Sequence, residues 1–365
     1  MEESFSLLLK PVSFLCNLNC RYCFYLPKRE MFDSFAGRMS DATLEALIRS
    51  YLACPMRHYQ FGWQGGEPTL AGVDFFRRAV RLQRKYGHGK AVTNAIQTNG
   101  TLLNDEWGRF LHDNRFLTGN SIDGPAALHD RFRTYPDRRG SHAEVMRGLD
   151  ILKCHGVEFN ALTLVSAANQ NHPVEIYRYL NGLGVHFHQY IDCVEFDGNG
   201  RLQPFALTPG KWGEFLCRIF DEWYPRDTQT VSIRLFDSIL SRLVTGTPTV
   251  CPMGNSCRNY FLVERNGDLY PCDFHVSPEN RLGSVHRTDF GRLWDSGSFR
   301  EWGTVKEPRS ERCAACRFLP LCMGDCPKNR ISGASILCED WRTFYSHTIE
   351  WFEELAARLS RFSSL

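Results

Sequence analysis

The run Cys16-Asn17-Leu18-Asn19-Cys20-Arg21-Tyr22-Cys23 sets three thiols within eight residues, a density that reads as a metal site. An iron–sulfur cube takes four cysteine thiolates. Three close ligands with no fourth nearby leave one iron open to a group that is not protein, and that iron is where chemistry could occur. A second group lies far along the chain: Cys251, Cys257, Cys272, Cys313, Cys316, Cys322, Cys326 and Cys338. Eight thiolates make two complete four-cysteine sites. Zinc is the ordinary occupant of C-x2-C pairs, but the open amino-terminal trio favours iron–sulfur chemistry for the whole protein. The other four of the fifteen cysteines, Cys54, Cys154, Cys193 and Cys217, read as inert core thiols. His186 and His188 share one strand face, and with His172 they are expected to pack as ordinary polar groups.

Composition excludes several alternatives. A formal charge of +2 provides no basic field for nucleic acid or anionic membrane. No apolar run has transmembrane length, and Met1-Glu2-Glu3-Ser4 lacks the basic start of an export signal, so a cytoplasmic protein is expected. That compartment argues against a disulfide framework.

The elements that must position the thiols follow from periodicity. Strands are expected over 5–11, 58–64, 92–98, 116–122, 157–165 and 185–191. They alternate with helices over 41–52 (capped by Ser40), 73–86, 105–113, 143–155 and 173–183. Six strands alternating with helices indicate an α/β fold with a parallel sheet, most economically a partial (β/α)6 TIM-like barrel. Sites in such folds gather at the carboxyl ends of the strands, which here deliver Cys16, Gln64-Gly65-Gly66-Glu67, Gln97-Thr98-Asn99-Gly100, Ser121-Ile122-Asp123-Gly124 and Asp192. Helices over 208–223 and 236–244 then lead to a Cys-, Gly- and Pro-rich segment. Its hairpin is signalled by Asn266-Gly267, a pair suited to a turn with two positive φ angles. That segment has little apolar sequence of its own, so bound metal is expected to order it. A helix over 341–362 closes the chain. The domains expected are 1–245 (barrel), 246–340 (cysteine-rich) and 341–365 (final helix).

Cys16-x3-Cys20-x2-Cys23 with Tyr22 resembles the signature of radical S-adenosylmethionine (SAM) enzymes, and the later cysteine series resembles the SPASM extension with two auxiliary clusters. Within that superfamily the chain is most similar to the anaerobic sulfatase-maturating enzymes, through Cys-Arg-Tyr-Cys-Phe-Tyr, residues 64–72, residues 97–101 and Tyr270-Pro271-Cys272-Asp273-Phe274. The resemblance implies S-adenosylmethionine and three [4Fe–4S] clusters as cofactors. Cys16, Cys20 and Cys23 would hold the radical cluster. Cys251, Cys257, Cys272 and Cys326 would hold the first auxiliary cluster, and Cys313, Cys316, Cys322 and Cys338 the second. It also implies Gly66, Ser121, Arg133, Tyr22 and Val194 at the S-adenosylmethionine site, with Asn120 a departure from the small or apolar residue expected before Ser121. Asp273 would be the base, while Gln64 and Tyr25 would orient the peptide.

The implied reaction is oxidation of a cysteine or serine in a sulfatase polypeptide to Cα-formylglycine through a 5′-deoxyadenosyl radical. The implied partners are an extended Cys/Ser-x-Pro/Ala-x-Arg segment and a low-potential electron donor, with the enzyme a monomer. Glu67, Asp123 and Asp192 are candidates to meet the substrate arginine. The alternatives are a SPASM maturase that crosslinks another ribosomal peptide, disfavoured by the short stretch before Cys16, and a zinc-bound scaffold.

Overall fold

Leu7 and Leu9 are buried while Ser6 and Leu8 are half-buried, and this alternation makes Ser6–Leu9 a strand with one face in the core. The computed structural model describes residues 4–32, 37–307 and 309–362. In chain order its strands are β1 (Ser6–Leu9), β2 (His58–Trp63), β3 (Ala91–Thr98), β4 (Leu117–Ser121), β5 (Phe159–Val165), β6 (Phe187–Asp192), β7 (Ser232–Ile233), β8 (Tyr260–Val263), β9 (Asp268–Tyr270), β10 (Gly283–Ser284) and the short antiparallel pair β11 (Arg330–Ile331) and β12 (Ala334–Ser335). The chain divides into two units. One comprises Met1–Ser121, Arg133–Phe159 and Cys257–Thr304; the other comprises Ile122–Phe132, Asn160–Ser256 and Val305–Leu365.

In the first unit β1 to β4 are parallel, with Leu7 opposite Phe61, Phe61 opposite Asn94 and Gln97 opposite Gly119. Helices α1 (Asp41–Leu52), α2 (Val73–Gly87), α3 (Asp105–Asp113) and α4 (His142–Cys154) alternate with these strands. The first starts where expected: the Ser40 hydroxyl accepts from the Thr43 amide at 3.1 Å, and Leu44, Leu47, Ile48, Tyr51 and Leu52 form its buried stripe.

The cysteine-rich hairpin is ordered differently from expectation. β8 runs parallel to β1, with Ser6 opposite Tyr260 and Leu9 opposite Val263, and β9 and β10 continue the sheet outward as antiparallel strands. Phe261, Val263, Leu269, Phe290 and Phe299 join Phe5, Leu7 and Phe61 in one hydrophobic cluster. The segment thus borrows a core from β1, where the sequence suggested that bound metal would order it. Its turn also differs. Of the two turn residues only Gly267 has positive φ (+90°), the Gly267 amide bonds the Glu264 carbonyl at 2.8 Å, and the Glu264 amide bonds the Asp268 carbonyl at 2.9 Å. A tight turn followed by a left-handed glycine replaces the two-residue turn.

In the second unit β5, β6 and β7 are parallel, with Ala161 opposite His188 and Phe187 opposite Ser232. Helices α5 (Pro173–Gly182), α6 (Lys211–Trp223), α7 (Arg234–Thr245) and α8 (Cys338–Phe362) accompany them. The last begins at Cys338 itself, three residues earlier than expected. Asp340 accepts from the Gly210 and Gly213 amides at 3.0 and 2.8 Å, closing the start of α6, and Phe344 stacks on Phe236 at 5.7 Å.

Candidate active site

The loop after β1 carries Cys16, Cys20 and Cys23, all half-buried. Among the described residues no cysteine is in a disulfide. The Cys23 amide bonds the Cys20 carbonyl at 3.1 Å, and the Leu18 amide bonds the Cys16 sulfur at 3.3 Å. Asn99 brings its side-chain amide to 3.8 Å from that sulfur and to 2.9 Å from Asn17 Oδ1, while Asn17 in turn donates to Thr101 at 2.8 Å. Burial, and after it the Glu67 carboxylate, pushes the Cys16 thiol up to about 12.

Glu67 is fully buried and accepts four hydrogen bonds: from the Thr69 amide (3.0 Å), the Thr69 hydroxyl (2.6 Å), the Thr98 hydroxyl (2.7 Å) and the Asn99 amide (2.7 Å). It ties the glycine turn to the end of β3 and leaves nothing for a substrate arginine. Asp123 is likewise buried, its carboxylate accepting from the Leu164 amide at 3.0 Å. Sequence alone could not separate these inward carboxylates from surface-facing ones.

The two glycines serve different neighbours. A Cβ on Gly66 (φ +53°) would lie 2.0 Å from the Leu15 carbonyl oxygen, so this position lets the cysteine loop close onto the turn. A Cβ on Gly65 (φ +99°) would lie 2.1 Å from the side chain of Lys10. The first of the pair makes room for a lysine.

Ser121 is buried and receives a 3.0 Å hydrogen bond from Gln97. The preceding Asn120 is fully buried, and among the described residues its side-chain amide has no hydrogen-bond partner. Arg133 is also buried, 8% exposed, with its guanidinium 5.4 Å from the Tyr22 ring centroid, so it is no solvated surface arginine. Val194 is buried in the second unit. Gln64 is half-buried, its amide bonding the Leu9 carbonyl at 2.8 Å. Tyr25 is buried and its hydroxyl donates to Glu264.

Asp273 sits at the end of the hairpin beside Cys272 and is 6% exposed. The Tyr260 hydroxyl donates to its Oδ1 at 2.8 Å and lies 3.3 Å from the Cys272 sulfur, and Lys10 Nζ stands 3.9 Å from its Oδ2. The Tyr260 hydroxyl holds one oxygen and the Lys10 ammonium stands near the other, and among the described residues the carboxylate caps no backbone amide. The adjacent Phe274 is exposed and packs on Phe24 at 4.8 Å, an apolar flank to the acid. Sequence reasoning missed Lys10, Tyr260 and Glu264. Tyr260 was recoverable, because continuing the register Leu262–Tyr270 two residues outward sets it opposite Cys272. Lys10 had a signal too, a charge directly after Leu7-Leu8-Leu9.

In the second unit Cys313, Cys316, Cys322 and Cys338 line one cavity of ≈ 540 Å³, with Arg312 and Arg342 at its wall. The Cys316 amide bonds the Cys313 carbonyl at 3.1 Å, and Cys338 opens α8. Met323, Gly324 and Asp325 all have positive φ, a strained turn held by Arg330, which donates to the Gly324 and Asp325 carbonyls at 2.9 and 3.2 Å. Four thiols around far more room than one ion fills are a donor set suited to an iron–sulfur cluster. Among the described residues no three Cys, His, Asp or Glu side chains close on a single ion. A cube does not need them to, since its thiolates end on different irons. Of the other four cysteines assigned by resemblance, Cys257 and Cys272 belong to the first unit, Cys251 and Cys326 to the second. His188 packs as expected, its nitrogens 3.1 Å from the Tyr190 hydroxyl and 3.0 Å from the Val185 carbonyl, with burial pulling it down to about 4.

Residues 11–180 match the radical SAM superfamily, and residues 251–317 match an iron–sulfur cluster-binding domain, SPASM. The chain is 36% identical over 377 residues to the serine-type anaerobic sulfatase-maturating enzyme of Bacteroides thetaiotaomicron, covering 96% of this chain and 91% of that one. It is 33% identical over 370 residues to the cysteine-type enzyme of Clostridium novyi, covering 98% and 99%. A solved structure described as native anSMEcpe with bound AdoMet and Cp18Cys peptide superposes with a TM-score of 0.90 at 32% identity, covering 97% of this chain and 99% of that one. The α/β fold with a parallel sheet and a SPASM domain is therefore the radical SAM fold.

Proposed function

We propose, since the chain belongs to the anaerobic sulfatase-maturating enzymes of the radical SAM superfamily, that Asp273 is the base of its reaction and that the eleven clustered cysteines divide as the family's do. The protein is a radical SAM oxidoreductase that converts a cysteine or serine of a sulfatase polypeptide to Cα-formylglycine, using S-adenosylmethionine and [4Fe–4S] clusters. When bound, the radical cluster with S-adenosylmethionine would supply the radical chemistry that removes a hydrogen atom from the substrate β-carbon, and the auxiliary clusters would supply a route for the remaining electron.

The chain's own residues do the rest. Cys16, Cys20 and Cys23 hold the radical cluster. Gly66, Ser121, Arg133, Tyr22 and Val194 hold S-adenosylmethionine, with Arg133 suited to a carboxylate or ribose oxygens. Asp273 accepts the proton that leaves the substrate thiol or hydroxyl, so the carbon loses a hydrogen atom, the heteroatom a proton, and one electron departs; serine thereby gives the aldehyde directly, and cysteine gives a thioaldehyde that water hydrolyses to the aldehyde with release of hydrogen sulfide. Gln64 and the Phe24–Phe274 flank orient the peptide, and Tyr25, whose hydroxyl is engaged by Glu264, contributes through that corner. Cys251, Cys257, Cys272 and Cys326 hold the first auxiliary cluster; Cys313, Cys316, Cys322 and Cys338 hold the second. The observation that carries the role of Asp273 is its seat: next to Cys272, nearly buried, hydrogen-bonded at Oδ1 by Tyr260 and with the Lys10 ammonium 3.9 Å from Oδ2.

The substrate is an extended Cys/Ser-x-Pro/Ala-x-Arg segment and the reductant a low-potential donor, with the enzyme acting as a cytoplasmic monomer. Among the described residues no helix is long and apolar enough to cross a membrane. Anaerobic incubation with S-adenosylmethionine, a reductant and cysteine- or serine-containing sulfatase peptides, read by mass spectrometry, tests this function. Formylglycine with stoichiometric 5′-deoxyadenosine is expected. A crosslinked peptide would move the assignment to another SPASM maturase, and a colourless zinc protein would end the radical mechanism.

A further inference from the structure

Lys10 leaves β1 with its amide on the Val263 carbonyl at 2.9 Å and turns a side chain that is 1% exposed into the protein. Its ammonium lies 4.2 Å from the Tyr25 ring centroid and 3.9 Å from Asp273 Oδ2. Space for its stem exists because position 65 has no Cβ, and the Tyr25 ring beneath it is anchored through the hydroxyl to Glu264. Burial pulls Lys10 down, while Asp273 and then Glu264 push it back up. Buried ion pairs are weak devices for stability, since apolar residues of the same volume often do as well or better. A lysine sealed over an aromatic ring and aimed at one carboxylate oxygen is better explained by what that carboxylate does.

We propose that Lys10 is a positioning residue for Asp273: its ammonium fixes Oδ2 while the Tyr260 hydroxyl fixes Oδ1, so the carboxylate meets the substrate thiol or hydroxyl in a single orientation. The inference rests on Asp273 being the base. Tyr260 alone leaves the carboxylate free to swing about its hydrogen-bonded oxygen, and misplacement of a reacting group by about 1 Å costs on the order of 10²-fold in rate.

The test compares wild type, Lys10→Met, Asp273→Asn and the double variant, each as anaerobically reconstituted holoenzyme. Lys10→Met is expected to keep its iron and sulfide, its S-adenosylmethionine cleavage without peptide, and a KM for the peptide within about two-fold of wild type. Its kcat for formylglycine should fall roughly 10- to 100-fold, so that deoxyadenosine per formylglycine rises. In the Asp273→Asn background Lys10→Met should change nothing further. An unaltered rate in Lys10→Met, or an equal additional loss in the double variant, overturns the inference. Should Lys10→Met fail to hold its clusters, Lys10→Gln is measured by the same ratio, and cluster loss in both makes Lys10 structural and overturns the inference. A wild-type enzyme that leaves the peptide unmodified overturns the functional assignment and this inference with it; normal wild-type turnover with an unaffected Lys10→Met overturns the inference alone.

Discussion

Two acids stand in opposite company. Asp273, in the first unit, has a phenol at one oxygen and an ammonium near the other. Asp192, at the end of β6 in the second unit, accepts from Asn329 at 2.9 Å, and the same amide reaches Asp325 at 3.1 Å. Ser335 donates to Asp325 at 2.7 Å, and Asp325 Oδ1 is buried without a hydrogen-bond partner among the described residues. Loss of surrounding water, and next the Asp325 carboxylate, pushes Asp192 up to about 7, with Lys328 only partly opposing. A second carboxylate close by disfavours the charged form of the first. Asp192 thus tends to keep its proton beside a second acid, whereas Asp273 is held by a phenol and an ammonium next to Cys272, and it is this fixed geometry that suits the proposed base.

Asp273→Asn should break the contrast most severely. Removing a general base typically costs 10²–10⁴-fold, so formylglycine production should drop by that order while iron content and deoxyadenosine formation persist. Asp192→Asn should leave peptide oxidation within a few-fold of wild type, measured in the same assay. If Asp192→Asn were the more damaging, the assignment of the base would have to move to the second unit.

The glycine pair sharpens the same point at smaller amplitude. In Gly66→Ala the new methyl meets backbone, the Leu15 carbonyl, which cannot step aside without moving the cysteine loop. Iron bound by the amino-terminal trio should be lost, read as a fall in iron per protein and in deoxyadenosine. In Gly65→Ala the methyl meets the flexible stem of Lys10. There iron should be retained and formylglycine selectively lost, as Lys10 is displaced from Asp273. Equal iron loss in both would show that the two glycines serve the loop alike.

Much of this was legible from the chain. The thiol spacing, the cap at Ser40 and the strand-then-glycine pattern at 58–66 are local signals, set by residues close in sequence, and the structure keeps them. What stayed hidden depends on register between distant segments. Lys10 and Asp273 meet because β8 aligns with β1, a pairing that no local periodicity announces. The hairpin's packing on Phe5 and Leu7 was hidden for the same reason, so its apolar residues looked too few to fold. The Asn266-Gly267 turn was misjudged because the turn pair was read alone, whereas Glu264 and Asp268 close the loop one position wider. Glu67 and Asp123 show the limit for carboxylates: sequence set them at strand ends, and only the hydrogen-bond partners reveal that they face inward as structural ties.

The smallest predicted effect lies in pH dependence. A carboxyl group raised from the ordinary 3.8 to about 7 binds its proton more tightly in the folded state than in the unfolded one. Between those values folding retains a proton that unfolding releases, so raising the pH favours unfolding across that interval. The contribution of Asp192 is therefore fully present below about pH 4 and is lost as pH climbs through about 7, to the extent of roughly 2–4 kcal/mol. Denaturant midpoints of the holoenzyme should decline from pH 5 to pH 8, and Asp192→Asn, which still accepts from Asn329 but cannot ionise, should flatten that decline. A decline that survives Asp192→Asn would mean that this acid ionises freely, and the contrast between the two corners would then have to rest on geometry alone.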